Sequence, residues 1–174
     1  AVISVEDHRF ENHCGIDLIA IGRSVLTDIK EQSFVQGGST ITQQLAKNML
    51  FTQEKKLERK VAEVFAALEL ECNYSKEDIF ELYVNTSYFG NGYYGVREAA
   101  DGYFGKTFSE LSEYECAMLA GIPNAPSVYS PNAVNESTAR RVECVLESMV
   151  KNRIISQEQA YNIEMEQYVN MYTS

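Results

Sequence analysis

The 174-residue chain has no tryptophan, three prolines and two histidines. With only His8 and His13 available, a histidine-rich metal site is not expected. Basic residues are also short: fifteen Lys and Arg stand against twenty-five Asp and Glu, for a net charge of −10. That deficit argues against nucleic-acid binding, which needs a basic surface. An anionic substrate stays open, because a local group of cations outweighs the global sign at short range. No apolar run approaches the length of a membrane-spanning helix, and no secretory leader is visible. The chain opens on the apolar run Ala1-Val2-Ile3-Ser4-Val5 without an initiator methionine, as an excised domain lacking its anchor would. Cys14, Cys72, Cys116 and Cys144 are far apart and show no metal-ligand spacing. The last three fall on or beside helical patterns and are expected to be buried thiols, although an oxidising compartment would allow a disulfide.

What is present is the composition of a folded protein. Hydrophobic residues make up 45%, and the length suits one domain, 1–174, with a real core. The chain is organised around Gln36-Gly37-Gly38-Ser39-Thr40-Ile41-Thr42-Gln43-Gln44-Leu45-Ala46-Lys47-Asn48. The two glycines permit a tight turn or a close approach to a ligand. Thr40 and Gln43 form a capping box, which predicts a helix start. The orphan N–H groups and dipole of such a start attract anions. Ile41, Leu45 and Met49 predict one buried stripe. Gln43, Gln44 and Lys47 lie off it, where they can face a cleft. Uncharged donors with a lysine one turn on suit a phosphate or diphosphate, but the same spacing fits an ordinary capped surface helix. The glycine-to-lysine spacing is not that of a P-loop.

Upstream, Val5-Glu6-Asp7-His8-Arg9-Phe10-Glu11-Asn12-His13-Cys14-Gly15 sets two adjacent carboxylates before a helical pattern over 16–26. Neighbouring side chains point in different directions, so one can face a cleft while the other bonds locally. A solvated acidic turn is the plainer alternative. Residues 27–35 are polar and small and read as a mobile connector. Downstream, Leu57, Val61, Val64, Phe65, Leu68 and Cys72 repeat near the helical period and predict the apolar stripe of an interior helix. Arg59, Lys60 and Glu63 project from the other side, beside Ala66, Ala67 and Leu70. As a surface pair, Arg59 and Glu63 would contribute about 0.3–0.5 kcal/mol. On an interior helix such charges are costly unless they serve a site. Ser75 with Asp78, Ser112 with Glu115 and Ser156 with Gln159 cap further helices. Residues 85–95 form a glycine- and tyrosine-rich loop whose rings suit sugars or packing equally. A short helix over 96–103, another over 113–120, an extended loop over 124–135 and a helix marked by Val142, Val145, Leu146 and Met149 complete the pattern. No run alternates with period two, so the fold is mostly α.

Gathered around one cleft, these segments would supply Glu6 and Asp7, then Ser39, Thr40, Gln43, Gln44 and Lys47, then Arg59, Lys60 and Glu63. Paired carboxylates suit acid/base work on a hydroxyl or a glycosidic oxygen, and cations suit a phosphate-bearing leaving group. Together they favour transfer of a sugar from a sugar-phosphate donor to a hydroxyl acceptor. A lysozyme-type glycan hydrolase and a non-catalytic glycan- or lipid-phosphate-binding module are the rivals.

Glu6-Asp7-x-x-Phe10-x-x-His13-x-Gly15, Gly37 to Asn48 as quoted, and Arg59-Lys60-x-x-Glu63 resemble the first three signature motifs of the peptidoglycan glycosyltransferases. These are the transglycosylase domains of class A penicillin-binding proteins and the monofunctional transglycosylases. Ser75 to Gly105, including Glu81-Leu82-Tyr83-Val84-Asn85 and Tyr88-Phe89-Gly90, resembles the fourth conserved region, and Leu111 to Pro131, with Ala120 to Tyr129, the fifth. The resemblance implies a lysozyme-like helical fold, with a large lobe and a small membrane-facing lobe around a cleft. It implies polymerisation of lipid II into β-1,4-linked glycan with inversion, at the extracytoplasmic face of the bacterial cytoplasmic membrane. Glu6 would be general base on the acceptor 4-hydroxyl, supported by Asp7, and Glu63 would assist at the donor. Lys47, Arg59 and Lys60 would hold the donor diphosphate, with Ser39, Thr40, Gln43 and Gln44 donating hydrogen bonds. Lys55 or Lys56 stands where some members carry arginine, and a point charge replaces a bidentate fork there. Some members use Mg2+ or Mn2+ at the diphosphate. The implied partners are lipid II, the nascent glycan strand, the membrane surface and, in bifunctional members, a transpeptidase domain.

Overall fold

The computed structural model describes residues 1–31, 38–50, 57–131 and 136–172 of the protein. It is 75% helical. Among the described residues no strand forms, and the only extended pairing is an isolated bridge between Tyr88 and Tyr94. The α-helices are α1 (Val2–Glu6), α2 (Leu18–Glu31), α3 (Ile41–Leu50), α4 (Leu57–Asn73), α5 (Lys76–Thr86), α6 (Val96–Phe104), α7 (Glu113–Gly121), α8 (Pro126–Tyr129), α9 (Glu136–Lys151) and α10 (Gln157–Tyr172).

The chain divides into two compact units. Ala1–His8 with Ser87–Ser174 forms one, and Arg9–Thr86 the other. In the first, α7, α9 and α10 bury Tyr114, Ala117, Ala120, Val142, Val145, Leu146, Ala160 and Ile163, with Val2 and Val5 of α1 packed on them. A second cluster joins Phe89, Ala99, Ala100, Leu119 and Ile122. In the second unit α3 lies against α4 and α5. Its buried residues include Phe10, Ile41, Leu45, Ala67, Ile79 and Tyr83.

The four capping pairs form as their three-residue spacing predicts. Thr40 N donates to Gln43 Oε1 at 3.0 Å and Gln43 N to Thr40 Oγ1 at 3.1 Å. Ser75 exchanges the same bonds with Asp78, Ser112 with Glu115 and Ser156 with Gln159. The helix over 96–103 ends, as its Phe-Gly-Lys sequence suggests, on Gly105 in the left-handed conformation.

Elsewhere the structure departs from the pattern. Residues 27–31 continue α2 instead of opening a connector; the rest of that segment, 32–35, lies outside the described residues. The extended loop over 124–135 contains a helical turn, α8, with Pro126 in its first position, where a missing N–H is harmless. The Ile41–Leu45 stripe is buried, but Met49 is half exposed. The largest correction concerns α4. Val61, Phe65 and Leu68 face outward, Phe65 at 67% exposure, whereas Glu63 and Ala67 are buried at 1% and 0%. The α4 backbone at Ala67 is approached closely by Gly15, which has no side chain to block it; a Cβ on Gly15 would lie 2.9 Å from Ala67 O. Glu63 can face inward because two cations neutralise it there. The cysteines differ too: Cys14, Cys72 and Cys144 are exposed, Cys116 is partly buried, and all four are free thiols. Cys72 shares the outward face of α4, which explains its exposure.

Candidate active site

In the first unit, Glu6 ends α1, and its side chain is 6% exposed. Arg141, on α9, donates from Nη2 to Glu6 Oε1 at 2.6 Å. The guanidinium is itself placed by two further contacts. Its Nε donates to Gly121 O at 3.1 Å, and its centre lies 5.5 Å from the Tyr129 ring centroid. Gly121 has no Cβ for a reason: one would sit 2.8 Å from Arg141 Cγ. The buried carboxylate therefore has a matched cation, which stabilises its charge in a poorly solvated place. Asp7 is buried beside it in sequence, at 7% exposure. The sequence reading missed Arg141, which sits among charged residues on a helix and resembles a solvated face; the only hint was its place on a helix following the fifth motif.

In the second unit, the start of α3 and the first half of α4 bring four of the remaining residues together. Lys60 Nζ donates to Ser39 Oγ at 3.0 Å and to Glu63 Oε2 at 3.1 Å. Arg59 Nε lies 3.4 Å from Glu63 Oε1, and neither of those two buried atoms makes a hydrogen bond. A buried carboxylate thus gathers two cations beside a helix start, with the Lys60 side chain still 48% exposed. Thr40 and Gln43 are buried, and the capping box uses the Thr40 and Gln43 amides and the Gln43 side-chain carbonyl. The Thr40 hydroxyl also donates to Gly15 O at 2.7 Å. The anion-attracting amides expected at this helix start are therefore partly occupied within the protein. Gln44, partly buried, accepts from the Tyr83 hydroxyl at 3.1 Å. Lys47 is exposed on the last turn of α3. Lys55, Lys56, Gln36 and Gly37 lie outside the described residues.

The turn that leads into α2 is charged but internally satisfied. Asp17 Oδ1 accepts from the Ile19 and Ala20 amides at 2.9 and 3.0 Å, and Arg9 Nε lies 3.0 Å from its Oδ2. Burial pushes the Asp17 carboxyl up, but the Ala20 amide, Arg9 and the Ile19 amide outweigh it and hold the group below the usual aspartate range. For a divalent metal the fit is poor. Among the described residues no three His, Cys, Asp or Glu side chains come together, and the carboxylate of Glu63 faces Arg59 and Lys60, not other acids.

Comparison with known proteins gives a consistent picture. The family model described as Transglycosylase matches residues 1–150. Penicillin-binding protein 1A of Aquifex aeolicus (strain VF5) is 45% identical over 159 residues, 91% of this chain and 22% of that protein. Penicillin-binding protein 1F of Bacillus subtilis (strain 168) is 46% identical over 160 residues, 92% of this chain and 22% of the relative. Penicillin-binding protein 1A of Pseudomonas aeruginosa is 41% identical over 170 residues, 98% of this chain and 21% of the relative. The chain thus spans about a fifth of the length of these relatives.

Proposed function

The chain belongs to the transglycosylase family, and on that premise we propose that it polymerises lipid II into β-1,4-linked glycan with inversion at the anomeric carbon. The Glu6 carboxylate takes the proton of the acceptor 4-hydroxyl. The hydroxyl oxygen attacks the donor C1 from the face opposite the diphosphate. The C1–O bond to the diphosphate breaks, and the lipid diphosphate leaves with the electron pair. Asp7 supports Glu6. Arg59, Lys60, Lys47 and Lys55 bind the diphosphate charge, with Glu63 holding the first two in place. Ser39 and Gln44 contribute hydrogen bonds, while Thr40 and Gln43 shape the helix start. The lysozyme-like two-lobed arrangement belongs to the same reading, and the protein would work at the extracytoplasmic face of the cytoplasmic membrane. Membrane contact is supported by apolar side chains exposed in the second unit: Leu18 and Ile19 on α2, Met49 and Leu50 on α3, and Val61 and Phe65 on α4. A transpeptidase domain in the whole protein would match the penicillin-binding names of the relatives.

The observation that carries this reading is the Ser39–Lys60–Glu63–Arg59 group. A glycan hydrolase needs a carboxylate but has no use for a half-exposed cation held beside a helix start. The test is incubation with labelled lipid II and, separately, with preformed uncrosslinked glycan. Long polymer from the first and no cleavage of the second are expected. Cleavage would favour a hydrolase, and binding without turnover a non-catalytic module. Neutralising Lys47 or Lys60 should weaken donor binding roughly tenfold, the loss of about 1.5 kcal/mol expected for one charge-assisted hydrogen bond. Unchanged affinity would remove that lysine from the site.

A further inference from the structure

We propose that Lys76 is a positioning residue for donor binding: from the first turn of α5 it sets where the start of α3 lies against α4, and so where Ser39 meets Lys60. The inference rests on the donor-site reading above, and Lys76 is not itself a member of that site.

Lys76 Nζ donates to His13 O at 2.7 Å and to Glu71 Oε1 at 2.7 Å. It also lies 4.4 Å from the centroid of the Phe10 ring, within cation–π range. The same Glu71 oxygen accepts from Thr42 Oγ1 at 2.6 Å. One ammonium and one carboxylate therefore join four segments: the turn that carries Phe10 and His13, α3, α4 and α5. Both side chains are largely buried, at 17% and 9% exposure. Around this knot the backbone is packed without slack. Gly15, two residues after His13, is left-handed, and a Cβ there would meet Ala67 O at 2.9 Å and Glu71 Cγ at 3.2 Å.

The first turn of α3 is consequently held at two points. Thr42 is tied to Glu71, and Thr40 to Gly15 O. Both ties lead back to Lys76, one through the carboxylate and the other through the His13–Gly15 backbone. Ser39 immediately precedes Thr40, and its hydroxyl takes the Lys60 proton donor at 3.0 Å. A well-packed apolar pair would stabilise such a spot as well as an ion pair does. What the charged network adds is directional bonding to a carbonyl and a hydroxyl, which specifies one placement of α3.

The test uses the whole protein and labelled lipid II, with KM, kcat and Tm read for the wild type, Lys76→Met, and the double variant Lys76→Met with Glu71→Leu. Lys76→Met leaves Glu71 buried without its cation and lowers Tm. The double variant removes that charge and recovers Tm. If Lys76 positions the donor site, KM is raised between about tenfold and a hundredfold in both variants, the cost of a misplaced binding group, and kcat changes less. A merely structural Lys76 would change the amount of folded enzyme, which leaves KM untouched. A wild-type KM in either folded variant overturns the proposal while the donor-site reading stands. Failure of the wild type itself to turn over lipid II overturns that reading, and this one with it.

Discussion

Arg141 holds Glu6 across 135 positions of sequence, and its removal exposes what the pair contributes. Arg141→Met should destabilise the protein by about 3 kcal/mol, because it removes the cation paired with a buried carboxylate; chemical denaturation measures it, and a change below about 1 kcal/mol would contradict the pairing. Gly121→Ala should cost about 1–3 kcal/mol through the clash with Arg141 Cγ. In an Arg141→Ala background, which removes Cγ, the same alanine should cost little, since its obstacle has gone; additive losses would show that the two do not touch. Asp17 provides a pH signature. Its folded-state carboxyl titrates below the usual aspartate range, so its stabilisation is present above the unfolded value and is lost as pH falls through the folded one. Thermal melts should show the wild type losing its advantage over Asp17→Asn as pH drops below about 4. A difference constant from pH 7 to pH 3 would refute the bonds assigned to Asp17.

At the level of elements, helix starts were legible and helix faces were not. A cap involves residues three apart, so Thr40 with Gln43 and Ser75 with Asp78 can be read without knowing what packs above them. Which side of α4 turns inward depends on partners far away in sequence. Gly15, without a Cβ, closes on the α4 backbone at Ala67; Glu63 needs cations, and Arg59 and Lys60 lie one turn before it. The apolar repeat of Val61, Phe65 and Leu68 was real as a pattern, but its burial did not follow. A periodic apolar stripe identifies a face that avoids water without saying whether protein or lipid covers it. Phe65→Ser should therefore leave folding stability within about 0.5 kcal/mol of wild type, while reducing co-sedimentation with anionic phospholipid vesicles. Ala67→Leu should destabilise by about 1–3 kcal/mol through overpacking of a fully buried site. The reverse order of the two effects would restore the face expected from periodicity.

For the molecule as a whole, a net charge of −10 coexists with a local pair of cations gathered on one buried glutamate. The family motifs were readable because each is a short run of sequence. The roles of Arg141 and Lys76 were not, because each acts through tertiary partners, the Glu6 carboxylate in one case and the His13 carbonyl, the Glu71 carboxylate and the Phe10 ring in the other. In the proposed reaction, proton removal falls to Glu6 and donor binding to the cations around Glu63. The most direct measurement is polymer formation from labelled lipid II by Glu6→Gln, with donor affinity measured alongside. The account predicts no polymer and near wild-type donor affinity. Polymer formed at the wild-type rate would contradict it.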